Sequence, residues 1–251
     1  MIGDCRQNRA EGWRYLIERY VPVIRVLSAH YGVPAKLEDV LRNLHDPKLP
    51  LWAAPGPRTE REFVALLRLH LLTRFAPPVP PPDPELDLET MTTALEGFSA
   101  IERQFLWLES MGYSAEATVR MMTLEATSIQ GARDRAAEAL RGHMDRWVRD
   151  VLRVNGAHLG RLAQAVPTKD CLTPNNFIDM IDGRNTWARK KDYEYQVVQC
   201  WHCVDHFCRI READLTLKLA KPLPPEEAEG FRKLLGVPAE KKGLLTRILG
   251  R

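Results

Sequence analysis

Trp13-Arg-Tyr-Leu-Ile-Glu-Arg-Tyr-Val-Pro-Val-Ile-Arg-Val-Leu27 sets the structural class of this chain. Trp13, Leu16, Ile17, Tyr20, Ile24 and Leu27 recur at helical spacing, so on a helix they form one apolar stripe, with Arg14, Glu18, Arg19 and Arg25 mostly off it. Pro22 has no N–H to give to a helix interior and predicts a bend or a division there. Leu37, Val40, Leu41 and Leu44 predict a short second helix. Phe63, Val64, Leu66, Leu67, Leu69, His70 and Leu71 predict a third that is apolar over most of its surface. No strand pattern competes with these periods. The expectation is an all-α protein.

Composition narrows the alternatives. A chain of 251 residues with 45% hydrophobic content can bury a real core, and its length allows one large domain or two to three small ones, of which three small ones fit better. Net charge is only +3, so contact with nucleic acid has to be argued locally. Five cysteines, an odd number with Cys200, Cys203 and Cys208 clustered late, read as metal ligands or reduced thiols rather than a secreted disulfide framework. The sequence from Met1 to Arg6 has no signal-like apolar core, and no later run approaches the ~20 apolar residues of a membrane span. A cytoplasmic protein without an integral membrane segment is expected.

Prolines mark the joints. Ala76-Pro-Pro-Val-Pro-Pro-Pro-Asp-Pro84 excludes helix and central strand, and Asp83, Glu85, Asp87 and Glu89 extend it into a solvated spacer. This divides a helical bundle at 1–75 from a linker at 76–90 and a second bundle at 91–150. Further joints near 155–167 and at Lys221-Pro-Leu-Pro-Pro225 set off residues 168–215 and a tail at 222–251. In the second bundle, Met91 to Leu108 predicts helix with a break near Gly97, and Ser114 caps a helix to Met122. After the corner Thr123 to Ala126, Thr127-Ser128 opens a longer helix. That is helix-turn-helix spacing, a weak signal alone, since most helix corners touch no DNA. In the tail, Pro225 to Leu235 predicts a short amphipathic helix with Glu first and Arg-Lys late. Lys241 to Arg251 follows as a basic, apolar end that suits a partner's groove or anionic lipid and is more often frayed.

Several of these stretches resemble one family. Phe98-Ser-Ala-Ile-Glu-Arg-Gln-Phe-Leu-Trp-Leu-Glu109, Met111-Gly-Tyr-Ser-Ala-Glu116 and Arg133-Asp-Arg-Ala-Ala-Glu-Ala-Leu-Arg141 are similar to the promoter-reading C-terminal domain of extracytoplasmic-function sigma factors. Gly3-Asp4, Trp13 to Tyr20, Leu37-Glu-Asp-Val40 and Thr59-Glu-Arg-Glu-Phe63 resemble, in the same order, that family's N-terminal domain, which grips polymerase and melts DNA. The likeness covers about residues 1–145. It implies RNA polymerase core and promoter DNA as partners, with Ser128, Gln130, Arg133, Arg135 and Arg141 at the DNA. The sequence departs from the pattern where the recognition helix begins, with Gln130, Gly131 and Ala132 in places that usually hold Lys or Arg. From Ser114 to Arg149 six arginines face five acidic residues, so Arg133, Arg135 and Arg141 also read as a plain solvated face.

Cys200 and Cys203 lie one helical turn apart and can share a cation, since thiolates that converge bind Zn²⁺. Around them, Cys171-Leu-Thr-Pro-Asn-Asn-Phe-Ile-Asp-Met-Ile-Asp-Gly183 and Gln196-Val-Val-Gln-Cys-Trp-His-Cys203 resemble the zinc-binding anti-sigma domain, a helical module that clamps sigma factors. That resemblance implies a zinc-finger-like C-terminal domain with Cys171, Cys200 and Cys203 as ligands. Gln196 stands where the family has histidine, and an amide is a poor zinc ligand. His206, one turn past Cys203 and two past Cys200, is the expected replacement, with His202 on another side of the helix. Buried thiols that pack as small hydrophobes remain the alternative. Cys5 and Cys208 have no partner that spacing identifies, and Trp107, Trp147, Trp187 and Trp201 read as core or interface anchors.

Phosphate-binding glycine loops, Gly-x-Ser-x-Gly elbows and His-Glu-x-x-His are missing, so an enzyme is not expected. The functional expectation is a sigma-factor-like regulator of transcription initiation with a built-in regulatory zinc domain. The alternative is a sigma-derived adaptor that no longer binds DNA and acts through a protein partner.

Overall fold

The computed structural model describes residues 1–53, 56–75, 87–122, 130, 131, 134, 135, 138, 159, 160 and 162–238. The fold is all-α, and among the described residues there is no strand. The helices are α1 (Ile2–Arg6), α2 (Ala10–His30), α3 (Leu37–Leu44), a 3-10 turn (Pro50–Trp52), α4 (Glu60–Phe75), α5 (Leu88–Ala94), α6 (Ala100–Ser110) and α7 (Ala115–Met122). They continue with α8 (Pro174–Ile181), α9 (Trp187–Gln199), α10 (Trp201–Leu219) and α11 (Pro225–Leu234). No helix among the described residues is long and apolar enough to cross a membrane. The proline-rich run at 76–86, the corner at 123–126, the capping pair Thr127-Ser128, Trp147 and the basic end at 241–251 lie outside the described residues.

Two compact units emerge. One gathers the described parts of Met1–Arg58, Leu66–Phe75 and Lys218–Arg251; the other gathers those of Thr59–Ala65 and Ala76–Leu217. In the first, the predicted stripe of α2 is buried along its length, and Pro22 sits inside an unbroken helix. The expected division does not occur, because Val21, Val23 and Ile24 beside the proline are all buried and their packing outweighs one missing backbone bond. A Cβ on Gly12 would lie 2.7 Å from both Asp4 Cβ and the Cys5 nitrogen, so glycine is what lets α1 approach α2. Trp13 meets Trp52 edge-on at 5.5 Å, and the Trp52 indole N–H donates to the Leu44 carbonyl at 3.1 Å. The tail helix α11 joins this unit: Arg25 pairs with Glu227, and Arg232 reaches Glu18 at 2.9 Å.

In the second unit α6 is buried from Arg103 to Ser110 on every side, so it needs cover from more than one direction. The break expected near Gly97 is present, with φ +81° at that glycine and a capping box between Ser99 and Glu102 opening α6. Segments expected as separate domains, 91–150 and 168–215, share one core in their described parts. Phe105, Leu106 and Leu108 of α6 belong to the same apolar cluster as Phe177 of α8, Val197 of α9 and Val204 and Phe207 of α10. Arg61 of the first turn of α4 ties into this unit through Asp214 at 2.6 Å and Asp182 at 3.0 Å.

Candidate metal centre

Three short pieces of backbone meet ahead of α10. Cys171 lies in the loop before α8, whose start is held by Asn176 Oδ1 accepting from the Thr173 amide at 2.8 Å. Cys200 ends α9 in an extended conformation, φ −141° and ψ 109°, and so breaks the helix before Trp201 opens α10. His202 and Cys203 then fall in the first turn of α10. Side chains in a helix lean toward its N-terminus, so those two lean back toward the loop that carries Cys171.

The donor atoms of Cys171, His202 and Cys203 all lie within 4.8 Å of one another, and the group can hold a metal ion. Cys200 adjoins it, with its Sγ 3.7 Å from that of Cys171. Two thiolates on a tetrahedral zinc at the usual ~2.3 Å bond length sit roughly 3.8 Å apart, so the sulfur pair has the edge length such an ion requires. Backbone amides point at the sulfurs as well. The Thr168 N–H donates to Cys171 Sγ at 3.1 Å and the Leu172 N–H to Cys203 Sγ at 3.4 Å, bonds that favour a charged sulfur. The His202 Nδ1 is buried and has no hydrogen-bond partner.

Electrostatics ranks the thiols. Burial pushes Cys171 up, but donation from the Thr168 hydroxyl and amide, with Cys200 and Cys203, brings it below the ordinary thiol value. Burial raises Cys200, and pushes Cys203 up to about 12. Clustered and desolvated, the three resist joint ionisation unless a cation offsets their charge. His202 is held below the usual imidazole range by burial and then by the Arg209 charge, against Asp205. A neutral imidazole is the form that ligates metal.

His206 lies elsewhere. Its ring packs on Phe177 at 5.3 Å, burial takes its pKa down to about 4, and its centroid is 6.0 Å from that of His202. Counting helical turns from Cys200 placed it with the thiols. Cys200 is extended, so the count from it does not hold; Cys203 and His206 stay one turn apart on α10, but among the described residues the histidine whose donor atom lies within 4.8 Å of the Cys171 and Cys203 sulfurs is His202. The signal lay inside Cys200-Trp-His-Cys203, in a histidine beside the first helical cysteine.

The expected DNA residues divide. Gln130 donates to Asp134 Oδ1 at 2.8 Å; Arg135 pairs with Glu102 and covers the Phe98 ring at 5.5 Å. Ser128, Arg133 and Arg141 lie outside the described residues. Among the tryptophans, Trp107 and Trp201 are buried and stacked at 5.1 Å, whereas Trp187 is 72% exposed under the Lys191 ammonium.

The helix that carries Cys203 is fastened to α6 and α7. Trp107 Nε1 donates to Asp205 Oδ1 at 3.0 Å, and Asp205 pairs with Arg209 at 2.6 Å. Arg103 lies over Trp201 at 5.1 Å, Arg211 donates to Gln104 Oε1 at 2.9 Å, and Tyr113 bonds Glu212. No protein-family model, curated protein or solved structure matches this chain.

Proposed function

We propose that the chain is a sigma-factor-like regulator of transcription initiation whose segment 168–215 is a built-in zinc-bearing clamp on its promoter-reader-like helices. The observation that carries this reading is the seat of α10 on α6: the Trp107–Trp201 stack, the Trp107–Asp205 bond and the buried Asp205–Arg209 pair. Trp107 belongs to a stretch that resembles the sigma C-terminal domain and Trp201 to one that resembles the anti-sigma module, with Asp205 and Arg209 following on the same helix. An anti-sigma-like helix laid on a sigma-like one is the arrangement in which a regulator holds its own reader in check.

Zn²⁺ suits the donor group of Cys171, His202 and Cys203, and Cys200, outside that group but with its Sγ 3.7 Å from that of Cys171, would add a third thiolate. Bound there, it supplies the positive charge that keeps buried thiols ionised and a cross-link from the loop to α10. The chain's own residues do the rest. The Thr168 and Leu172 amides orient two sulfurs, and Asp205 holds the Trp107 indole so that α10 cannot slide along α6.

A second reading has a specific observation behind it. Arg135 and Gln130, both expected at DNA, are engaged by Glu102 and Asp134 on the protein itself. That favours an adaptor that works through a protein partner. Binding of the full chain to core RNA polymerase, with a promoter-fragment shift that weakens steeply between 50 and 200 mM salt, supports the regulator. Salt-insensitive association with a non-polymerase protein, and none with polymerase, supports the adaptor and overturns the first reading.

A further inference from the structure

We propose that His202, through its Nδ1, is the fourth ligand of a Cys3His metal site, so that three ligands come from the four residues Cys200 to Cys203 and one from the loop at Cys171. The inference rests on the metal-binding reading above and goes beyond it by naming the donor atom and its mechanical consequence.

Three observations converge on this nitrogen. It is buried and lacks any hydrogen-bond partner, which is costly for an imidazole nitrogen unless something else takes up its lone pair. The same side chain falls in the donor group with Cys171 and Cys203, whose atoms are mutually within 4.8 Å. The backbone explains why: the break at Cys200 restarts the helix, so His202 and Cys203 both occupy its first turn and lean back over its end. The rival imidazole, His206, is not in that donor group, and its ring packs on Phe177. Gln196, one turn before Cys200 on α9, offers only an amide.

A consequence follows for the module. With no ligand on α9 ahead of its last residue boundary, the ion fastens the start of α10 to the loop before α8 and leaves the body of α9 untouched. Metal binding is then local to residues 168–173 and 200–204, and it does not organise the helix from Trp187 to Gln199.

The test uses the full reduced chain, stripped of metal and titrated with Co²⁺, whose visible spectrum reports coordination number and thiolate ligation. Wild-type protein gives the tetrahedral spectrum of three thiolates and one nitrogen. His202→Ala weakens Co²⁺ binding by on the order of 100-fold or more, beyond the loss of a supporting residue. His202→Cys restores tight binding with a spectrum shifted toward four thiolates, which keeps the test informative if the alanine variant folds poorly. His206→Ala leaves spectrum and affinity unchanged. Long-range ¹H–¹⁵N correlation of the Zn²⁺-loaded protein identifies Nδ1 of His202 as the bound nitrogen. Hydrogen exchange on metal removal rises in the loop and the first turn of α10 and stays level across α9.

Loss of binding in His206→Ala with full binding in His202→Ala overturns the inference and leaves the metal reading standing. Absence of any Co²⁺ or Zn²⁺ binding by the reduced wild-type chain overturns both.

Discussion

Trp107→Phe tests the seat of α10 on α6 most directly. The indole N–H donates at 3.0 Å to Asp205, and both residues are 1% exposed, so water cannot replace the lost donor. A hydrogen bond to a charged group contributes about 1.5–3 kcal/mol, and the smaller ring forgoes roughly 1 kcal/mol of burial and stacking on Trp201. The expected loss is therefore about 2.5–4 kcal/mol in the opening free energy of α10, read by native-state hydrogen exchange, which needs no assumption that both units unfold together. Asp205→Ala alone should cost about 3–5 kcal/mol, because it strands the buried guanidinium of Arg209. In the double variant the two losses should fall short of their sum by about 1.5–3 kcal/mol, the coupling that belongs to the shared bond. A cost below about 1 kcal/mol for Trp107→Phe, or coupling near zero, refutes the idea that this polar contact locks the two helices.

Three further outcomes are expected. Gly12→Ala should destabilise the first unit by about 1–3 kcal/mol in urea unfolding, since the new Cβ meets backbone at 2.7 Å where nothing flexible can yield; an unchanged midpoint would count against the close approach of α1 to α2. His206 is held neutral by burial, with Arg209 and His202 adding to the effect and Asp205 opposing it, at a pKa of about 4 against an ordinary 6.5. The unfolded chain therefore takes up its proton first as pH falls, and stability drops between about pH 6.5 and 4 by up to roughly 3 kcal/mol. His206→Phe should flatten that acid slope relative to wild type in unfolding curves at each pH. Metal analysis of the purified chain should return about one zinc, as a single four-ligand site requires, and Cys200→Ser should lower that content; a metal-free chain of equal stability would leave buried thiols only.

The first unit was legible where one face was apolar and hidden where it was not. The stripe from Trp13 to Leu27 predicted α2 and its buried side, and every residue named on that stripe is in the core. The charges lying off the stripe look, in sequence, like a solvated face. Glu18 and Arg25 are exposed and yet pair with Arg232 and Glu227 of α11, and no local pattern links residues about 200 apart. Pairing at that distance is decided by which faces remain uncovered once the bundle closes.

For the second unit the limit is different, and it bears on how such sites can be read at all. Helix α10 buries Asp205, Arg209, Glu212 and Thr216 together with Val204, Phe207 and Ile210, so its buried surface shows no apolar stripe. Periodicity then reports nothing about which side faces α6, and the polar contacts that fix that orientation depend on the indole of Trp107 and the amide of Gln104 across the interface. The thiols were legible because chemistry marks them whatever the backbone does. The imidazole was not, because His206 stays one turn past Cys203 on α10 whether or not Cys200 is helical, while the group that gathers His202 with Cys171 and Cys203 depends on where the loop places Cys171, which spacing along α10 does not report. A candidate ligand set spread over a loop and a helix start is thus decided by where the loop sits, because counting turns along one helix reports only the residues of that helix.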